Sequence, residues 1–213
     1  MTDELIFYHA PNSRSAGTRV LLEELGIPYR VHALDLKAGT QRKPDYMAVN
    51  PLGKVPAIRH RGSVVTEQVA VYLYLADEFP AAGLAPPVGD PLRGPYLRWL
   101  AFYGSSFEPA MVDRAMKRDP GGAAMSPYGD PDLVLNALAD QLRTGPYLLG
   151  ERFTAADVLW GSALNWMIMF GLVDKRAEFE GYVKRVTERP AVKRAAELDA
   201  ALAAEQETSR PVV

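Results

Sequence analysis

The chain has 213 residues, with 48% hydrophobic and 23% charged side chains, a composition typical of a folded globular protein rather than a disordered one. Its net charge of −2, with both signs interspersed, argues against nucleic acid and anionic membranes as partners. The absence of cysteine excludes disulfides, thiolate nucleophiles and most structural zinc sites. No apolar run approaches the roughly 20 residues of a membrane-spanning helix and the acidic start does not resemble a secretory signal, so we expect a cytoplasmic protein.

Residues 1–79 alternate between strand-like and helix-like patterns. In chain order we predict a strand at 5–8, a helix that stops at Gly26, a strand at 29–34, a short helix at 41–49, a hairpin of strands at 55–58 and 63–65, and a helix that begins at Thr66. Strand, helix, strand predicts a parallel pair with a right-handed crossover. The order βαβαββα therefore predicts an α/β domain.

The remainder of the chain has a different sequence pattern. Residues 80–89 hold several prolines and glycines without periodicity, which predicts a linker. Residues 90–213 carry only helical patterns, so we predict an all-α domain there. Its predicted helices are 92–117, bent near Pro109, then 133–143, 154–170, 175–187 and 191–204.

A polar turn, His9-Ala10-Pro11-Asn12-Ser13-Arg14-Ser15, joins the first strand to the first helix. Hydroxyl and amide groups at a helix N-terminus can bind an anion, because the main-chain N–H groups and the helix dipole favour negative charge there. Plain capping of the helix by Ser13 or Ser15 explains the same pattern and, from the turn alone, is the simpler interpretation.

Two other segments could bind a ligand. Pro56 at the start of a strand predicts that Val55 lies at an edge, where its main chain could pair with an extended ligand. Glu67 and Gln68 open a helix; Glu67 is expected there on dipole grounds alone, but it could also accept a hydrogen bond from a ligand ammonium group. The three histidines are scattered without carboxylates at metal-ligand spacing, so we predict no metal site.

Together these segments resemble the soluble glutathione transferase superfamily. The residues that carry the resemblance are Tyr8–Ser15, Leu22–Tyr29, Asn50-Pro51-Leu52-Gly53-Lys54-Val55-Pro56-Ala57, Thr66–Leu73 and Leu148–Asp157. The resemblance spans most of the chain and is strongest in the first domain. It implies a thioredoxin-like first domain that binds glutathione and a helical second domain that forms most of the pocket for a second substrate.

The resemblance also assigns roles to single residues. It implies a cis Val55–Pro56 peptide bond, with the Val55 main chain paired to the cysteinyl unit of glutathione. The implied glutathione-binding residues are Asn12, Ser13, Arg14, Gln41, Lys54, Val55, Pro56, Glu67 and Gln68. Among them, Glu67 and Gln68 would hold the γ-glutamyl end, and Lys54 and Gln41 the glycyl carboxylate. Tyr103 and Phe107 would line the second-substrate pocket, although an aromatic stripe is more typical of a core.

The catalytic residue has to stabilise the thiolate of glutathione, which is the nucleophilic form. Members of the family use a serine, cysteine, threonine or asparagine in the first turn, and this chain has no cysteine. Counting forward from the strand favours Ser13, and counting back from Gly26 favours Asn12. We prefer Ser13, with Asn12 as the alternative. Tyr8 at the strand end is more typical of packing.

The resemblance implies a detoxifying glutathione transferase that attacks small apolar electrophiles, or reduces peroxides or disulfides, and that forms a homodimer. A non-catalytic adaptor of the same fold and a glutathione-dependent isomerase or dehalogenase are alternatives. The segment from Thr154 to Asp157 matches the capping box of the family, and we interpret it as a folding feature.

Overall fold

The computed structural model describes residues 3–122 and 124–209. They form two compact units. One contains the described residues up to Ala82 together with those from Pro190 onward, and the other is Gly83–Arg189. The first boundary falls inside the predicted linker, but the last helix packs with the α/β unit, whereas the sequence assigned it to the helical domain.

The α/β unit contains β1 (Ile6–His9), α1 (Ser15–Leu25), β2 (Arg30–Ala33), a 3₁₀ turn (Thr40–Arg42), α2 (Pro44–Met47), β3 (Ala57–His60), β4 (Ser63–Val65), α3 (Gln68–Glu78) and a second 3₁₀ turn (Pro80–Ala82). The helical unit contains α4 (Arg93–Phe102), a π-helical turn (Tyr103–Phe107), α5 (Glu108–Ala115), α6 (Pro131–Leu142), α7 (Ala155–Met169) and α8 (Ala177–Thr187). The last helix, α9 (Pro190–Thr208), returns to the first unit. The predicted order of elements, a thioredoxin-like α/β domain followed by helices, is confirmed.

The sheet of the α/β unit has the strand order β2-β1-β3-β4, parallel between β1 and β2 and antiparallel elsewhere. The two central strands carry fully buried side chains, Phe7 in β1 and Ile58 in β3. β2 lies at an edge, and Ala33 is exposed there. α1 ends where Gly26 adopts φ 64° and donates its N–H to the Leu22 carbonyl.

The last helix is attached to α1 by polar contacts as well as by packing. Arg194 of α9 donates from Nε to Oε2 of Glu23 at 3.2 Å and from a terminal nitrogen to the Glu23 carbonyl at 3.1 Å. Farther along α9, Gln206 donates to the carbonyl of Leu34 at 3.2 Å. The α/β unit therefore includes a segment from the other end of the chain.

An aromatic cluster forms the core of the helical unit. Trp160 of α7 is fully buried, and its indole N–H donates to the Trp99 carbonyl at 3.0 Å. Its ring lies 4.6 Å from the ring of Phe107 and 5.4 Å from that of Tyr103. The capping box predicted at the start of α7 is present, with the Asp157 carboxylate accepting from the Thr154 main chain at 2.9 Å.

The predicted long helix at 92–117 is divided by the π-helical turn between α4 and α5. Pro109, just after that turn, has no N–H to donate and its ring would meet the carbonyl of the preceding helical turn. Widening the helix by one residue avoids that conflict. The sequence located the irregularity near Pro109 but not its form.

Candidate active site

Ser13 and Ser15 share a compact hydrogen-bonded turn after β1. The Ser13 hydroxyl donates to the Ala10 carbonyl at 2.7 Å, accepts from the Ser15 N–H at 3.2 Å and lies 2.8 Å from the Ser15 hydroxyl. Ser13 is half-buried, whereas Asn12 and Arg14 are exposed. Asn12 has φ 55°, a left-handed conformation that asparagine tolerates better than most residues and that places its side chain outward at the tip of the turn.

The single proton of the Ser13 hydroxyl limits what the turn can do. In the arrangement observed it is directed into the protein, toward the Ala10 carbonyl. A ligand sulfur can receive this proton in a hydrogen bond only if the Ala10 carbonyl gives it up. Another group that donates to the Ala10 carbonyl would therefore free the Ser13 proton for a ligand.

A buried polar chain continues behind the turn. The Ser15 hydroxyl lies 2.8 Å from Nδ1 of His9, and Nε2 of His9 lies 3.0 Å from Oδ1 of Asp199 in α9. A terminal nitrogen of Arg19 is 2.9 Å from the same oxygen. These are close polar contacts rather than well-aligned hydrogen bonds, since neither His9 Nε2 nor Asp199 Oδ1 has a partner in line with it.

His9 is fully buried, and burial lowers the pKa of its imidazole below the ordinary value, against the opposing effect of Asp199. The imidazole is therefore neutral near pH 7. Sequence reasoning considered His9 only as a metal ligand and missed its connection to Ser13 through Ser15. The polar turn from His9 to Ser15 was the available signal for that connection, whereas local sequence carries none for Asp199, which reaches His9 only through the packing of α9 on α1.

The segment around Val55 lies just before the paired residues of β3. The Val55–Pro56 peptide bond is cis, as the resemblance implied. β3 begins only at Ala57, and the hydrogen bonds among the described residues include none to the Val55 main chain. The preceding carbonyl, that of Lys54, is held by the hydroxyl of Tyr46 and by the side-chain amide of Asn50, the latter at 2.9 Å. Val55 is thus held in place with its own hydrogen-bonding groups available.

Gln41 and Lys54 come together because Gly53 permits a close approach. Gly53 has φ 59°, and a Cβ there would lie 2.8 Å from the carbonyl oxygen of Gln41. The Gln41 side chain is half-buried and donates to the Leu36 carbonyl at 3.4 Å, whereas Lys54 is exposed. The Gln41 main chain therefore lies beside Gly53, the residue that precedes Lys54.

The start of α3 meets the first turn. Glu67 directly precedes the helix with φ 64° and ψ 120°, a conformation uncommon for a residue with a side chain, and it is exposed. Gln68 donates from Nε2 to the Arg14 carbonyl at 3.2 Å. This bond joins two of the three segments singled out from the sequence. Unusual backbone conformations of this kind are concentrated at binding sites.

The predicted second-substrate residues need correction. Tyr103 is 3% exposed and Phe107 is fully buried, because both rings pack against Trp160 in the core of the helical unit. A ligand could reach Phe107 only by displacing that core, so its assignment to a pocket is wrong, and the Tyr103 ring is no better placed. Tyr8 is also buried and packs against Tyr46, in agreement with the packing role favoured above.

The described residues provide neither a metal site nor a membrane-spanning helix. Among the described residues, no group of three or more histidine, aspartate or glutamate side chains could hold a metal ion. Over the same part of the chain, every helix is too short or too polar to cross a membrane.

Comparison with known proteins decides the family. Residues 3–77 match the model of the glutathione S-transferase N-terminal domain, and residues 134–194 match that of the C-terminal domain. A glutathione transferase structure from Methylococcus capsulatus is 30% identical, with a TM-score of 0.78, over 92% of this chain and 99% of that one. The chain belongs to the glutathione S-transferase superfamily.

Other similar proteins belong to the same family as this transferase. A sphingomonad glutathione S-transferase solved with glutathione has a TM-score of 0.75 and 30% identity over 92% of this chain and 98% of its own. Glutathione S-transferase GstA of Escherichia coli O157:H7 is 27% identical over 87% of this chain and 94% of its length. The resemblance derived from the sequence motifs is therefore confirmed for both domains.

Proposed function

We propose that this glutathione transferase binds glutathione on its α/β unit and ionises the thiol at the turn that contains Asn12 and Ser13, with Ser13 as the thiol donor. The observation that carries the proposal is the bond from Gln68 to the Arg14 carbonyl, which places the start of α3 beside that turn. A ligand held at Glu67 and Gln68 then lies next to Ser13. Asn12, exposed at the tip of the turn, is the alternative donor.

The remaining contacts follow the length of a tripeptide. The free main-chain groups of Val55 suit the cysteinyl unit, which has one amide N–H and one carbonyl to offer. Glu67 and the N–H of Gln68 suit the ammonium and carboxylate of the γ-glutamyl end. Lys54 and Gln41, brought together at Gly53, suit the glycyl carboxylate, and Arg14 adds an exposed positive charge beside the turn.

The energy required of the turn is modest. A thiol with a pKa of about 8.5 is only a few per cent ionised at pH 7. Lowering that pKa by about two requires roughly 2.7 kcal/mol of preferential interaction with the thiolate. A charge-assisted hydrogen bond contributes about 1.5–3 kcal/mol and a helix N-terminus up to about 1 kcal/mol more. One hydroxyl at the start of α1 is therefore of the required size.

The reaction that we propose is attack of the thiolate on a small apolar electrophile. The sulfur forms a bond to carbon as the bond from that carbon to its leaving group breaks, and the leaving group departs with the electron pair. Reduction of peroxides or disulfides by the same thiolate, and glutathione-dependent isomerase or dehalogenase chemistry, use the same activated sulfur. A role in detoxification, a cytoplasmic location and the absence of a metal cofactor belong to the same proposal. A protein-binding adaptor would need neither Glu67 nor the polar turn.

The test compares Ser13→Ala, Asn12→Ala and the double variant with the wild type. Glutathione is added and the ultraviolet absorbance of its thiolate is followed against pH. We expect the apparent pKa of the bound thiol to rise toward that of free glutathione in Ser13→Ala, with a matching loss of turnover. Ser63→Ala, an exposed serine in β4, is the control. An unchanged titration in the double variant would reject the assignment.

Two further measurements address the alternatives. Calorimetry that detects no binding of glutathione to the wild type would favour the adaptor. The proposed homodimer is tested by light scattering, since the chain mass is 23.4 kDa and a dimer has twice that value.

A further inference from the structure

The chain of polar groups behind Ser13 ends in a base. In order it comprises the Ser13 hydroxyl, the Ser15 hydroxyl, the two ring nitrogens of His9 and the carboxylate of Asp199, with successive distances of 2.8, 2.8 and 3.0 Å. Its inner end is buried, since His9 and Ser15 are 0% exposed. A hydroxyl pair that leads from a proposed thiol site to a buried imidazole has the form of a proton path.

The direction of the protons in the free protein follows from what each group can donate. A carboxylate only accepts, so Nε2 of neutral His9 carries the ring proton toward Asp199. Nδ1 is then an acceptor, and the Ser15 hydroxyl donates to it. With its own proton used, Ser15 cannot donate to Ser13, and the Ser13 proton also points inward, to the Ala10 carbonyl or to Ser15.

We propose that His9 receives the thiol proton of glutathione through Ser13 and Ser15. This inference rests on the proposed function of Ser13. In the step, the S–H bond breaks as the Ser13 oxygen takes the thiol proton. Ser13 passes its own proton to the Ser15 oxygen, and Ser15 passes its own to Nδ1 of His9, where a new N–H bond forms. Each hydroxyl gains one proton and loses one, and the products are a thiolate and an imidazolium.

After the proton transfer the hydrogen bonds between Ser13, Ser15 and His9 run in the opposite direction, and each polar group of the turn keeps a hydrogen-bond partner. The imidazolium donates from Nδ1 to Ser15, and Ser15 now donates to Ser13 or to the Ala10 carbonyl, which it already approaches at 3.1 Å. The Ser13 proton is thereby released to donate to the thiolate. The Ala10 N–H, 3.1 Å from the Ser15 oxygen, keeps its acceptor throughout. The relay removes the conflict between Ser13 as donor to sulfur and Ser13 as donor to Ala10.

The charges around His9 decide whether the proton stays there. Asp199 of α9 faces Nε2 and favours the imidazolium, whereas Arg19 of α1 faces the same carboxylate and opposes it. The ring of Phe7, stacked on His9 at 4.9 Å, carries no charge. Ordinary thiol and imidazole pKa values differ by about two, and burial lowers the pKa of His9 further, so the bound ion pair has to be favoured by more than about a hundredfold over the pair in water. The thiolate of bound glutathione adds a negative charge that favours the His9 imidazolium.

The experiment measures how many protons are released to solvent when glutathione binds. When the thiol of bound glutathione ionises and its proton moves to His9, thiolate absorbance appears at pH 7 without release of a proton to solvent. Proton release on binding is obtained from calorimetry in buffers of different ionisation enthalpy. We expect release close to zero for the wild type. In His9→Asn, which retains a polar group near Ser15 but no base, each thiolate formed should release one proton. One proton per thiolate in the wild type would overturn the proposal.

A second measurement leaves His9 unsubstituted, because buried His9 could be required for folding. ¹⁵N shifts of the three histidine rings, assigned with His32→Gln and His60→Gln, distinguish neutral imidazole from imidazolium. We expect the His9 signals to become those of an imidazolium with glutathione and to remain neutral with S-methylglutathione, which has no thiol proton. A His9 ring that stays neutral beside a bound thiolate would contradict the proposed proton relay.

The two proposals fail in different ways. If Ser13→Ala leaves the bound thiol pKa unchanged, the proposed function of Ser13 is wrong and the relay fails with it. If Ser13→Ala raises that pKa but His9→Asn changes neither the pKa nor proton release, Ser13 acts alone and only the relay is wrong. Asp199→Asn, which keeps the imidazole and removes the charge that favours its protonated form, should reduce the thiolate fraction at pH 7 severalfold while S-methylglutathione binds as before.

Discussion

Nε2 of His9, the last residue of β1, lies 3.0 Å from Oδ1 of Asp199 in α9, so a contact between the two ends of the chain is built into the α/β unit. The same oxygen is 2.9 Å from Arg19, which is 3% exposed. Asp199 therefore neutralises a buried guanidinium and orients a buried imidazole at once. Both effects connect the last helix to the turn where the thiol is expected.

Asp199→Ala should destabilise the protein. It leaves the Arg19 guanidinium buried without its carboxylate, and we expect a loss of about 2 kcal/mol of unfolding free energy, less than for a fully buried pair because Asp199 keeps some contact with solvent. Urea unfolding measures it. Lys37→Ala is the control: it removes an exposed ion pair with Glu207, which lies on α9 as Asp199 does. The unfolding free energy should not change measurably. Equal effects of the two substitutions would contradict the role given to Asp199.

Gly53→Ala should harm both stability and glutathione binding. At φ 59° a side chain costs about 1 kcal/mol, and the new Cβ would also lie 2.8 Å from the Gln41 carbonyl. Gly39→Ala is the matched control, with φ 71° but open space around the Cβ position. We expect Gly53→Ala to lose about 1–2 kcal/mol more than the control and to raise KM for glutathione. Identical losses and an unchanged KM would disprove the close approach.

Asp157 should make stability depend on pH. Its carboxylate accepts from the Leu148 N–H, the Thr154 N–H and hydroxyl, and the Tyr182 hydroxyl, but burial raises its pKa to about 6. A raised acid pKa contributes stability that is complete below the unfolded value, about 4, and is lost as the pH rises through about 6.

Asp157→Asn removes this titration. The stability difference between wild type and variant should therefore shrink by up to about 2 kcal/mol between pH 4 and pH 7 in urea unfolding. At pH 4 the variant should be the less stable protein, since the amide cannot serve all four donors. A difference independent of pH would show that the carboxylate stays ionised. Glutathione affinity of the folded variant should not change, because the capping box lies in the helical unit.

Gly161→Ala tests the packing of α7 against α8. A Cβ at this position would lie 2.6 Å from a methyl carbon of Val186, too close for either helix to stay in place. We expect a loss of about 2 kcal/mol in thermal unfolding, although alanine favours a helix by about 1 kcal/mol over glycine. Adding Val186→Ala should recover part of that loss, because the second change removes the two clashing methyl carbons and leaves only the Val186 Cβ close to the new side chain. Additive losses in the double variant would mean that the two residues do not meet.

Much of the fold could be predicted because its signals are local. Apolar runs predicted the strands, and helical spacing with stop signals such as Gly26 predicted the helices, since burial of one face follows directly from residue order. The polar turn, Val55-Pro56 and Glu67-Gln68 were recognised because each motif is continuous in the chain. Prediction was wrong for Phe107, since an aromatic residue at helical spacing serves a core and a pocket equally well.

Contacts between distant segments were decided by tertiary structure alone. No local pattern states that α9 packs on α1, that Asp199 therefore reaches His9, or that Gln41 approaches Gly53, because such contacts depend on where whole elements pack. The residue order was enough to predict which groups could bind glutathione and activate its sulfur. Only the packed chain shows that the serine chosen for that task is hydrogen-bonded to a second serine and, through it, to a buried histidine, since the directions of these side chains depend on how β1 and α1 pack.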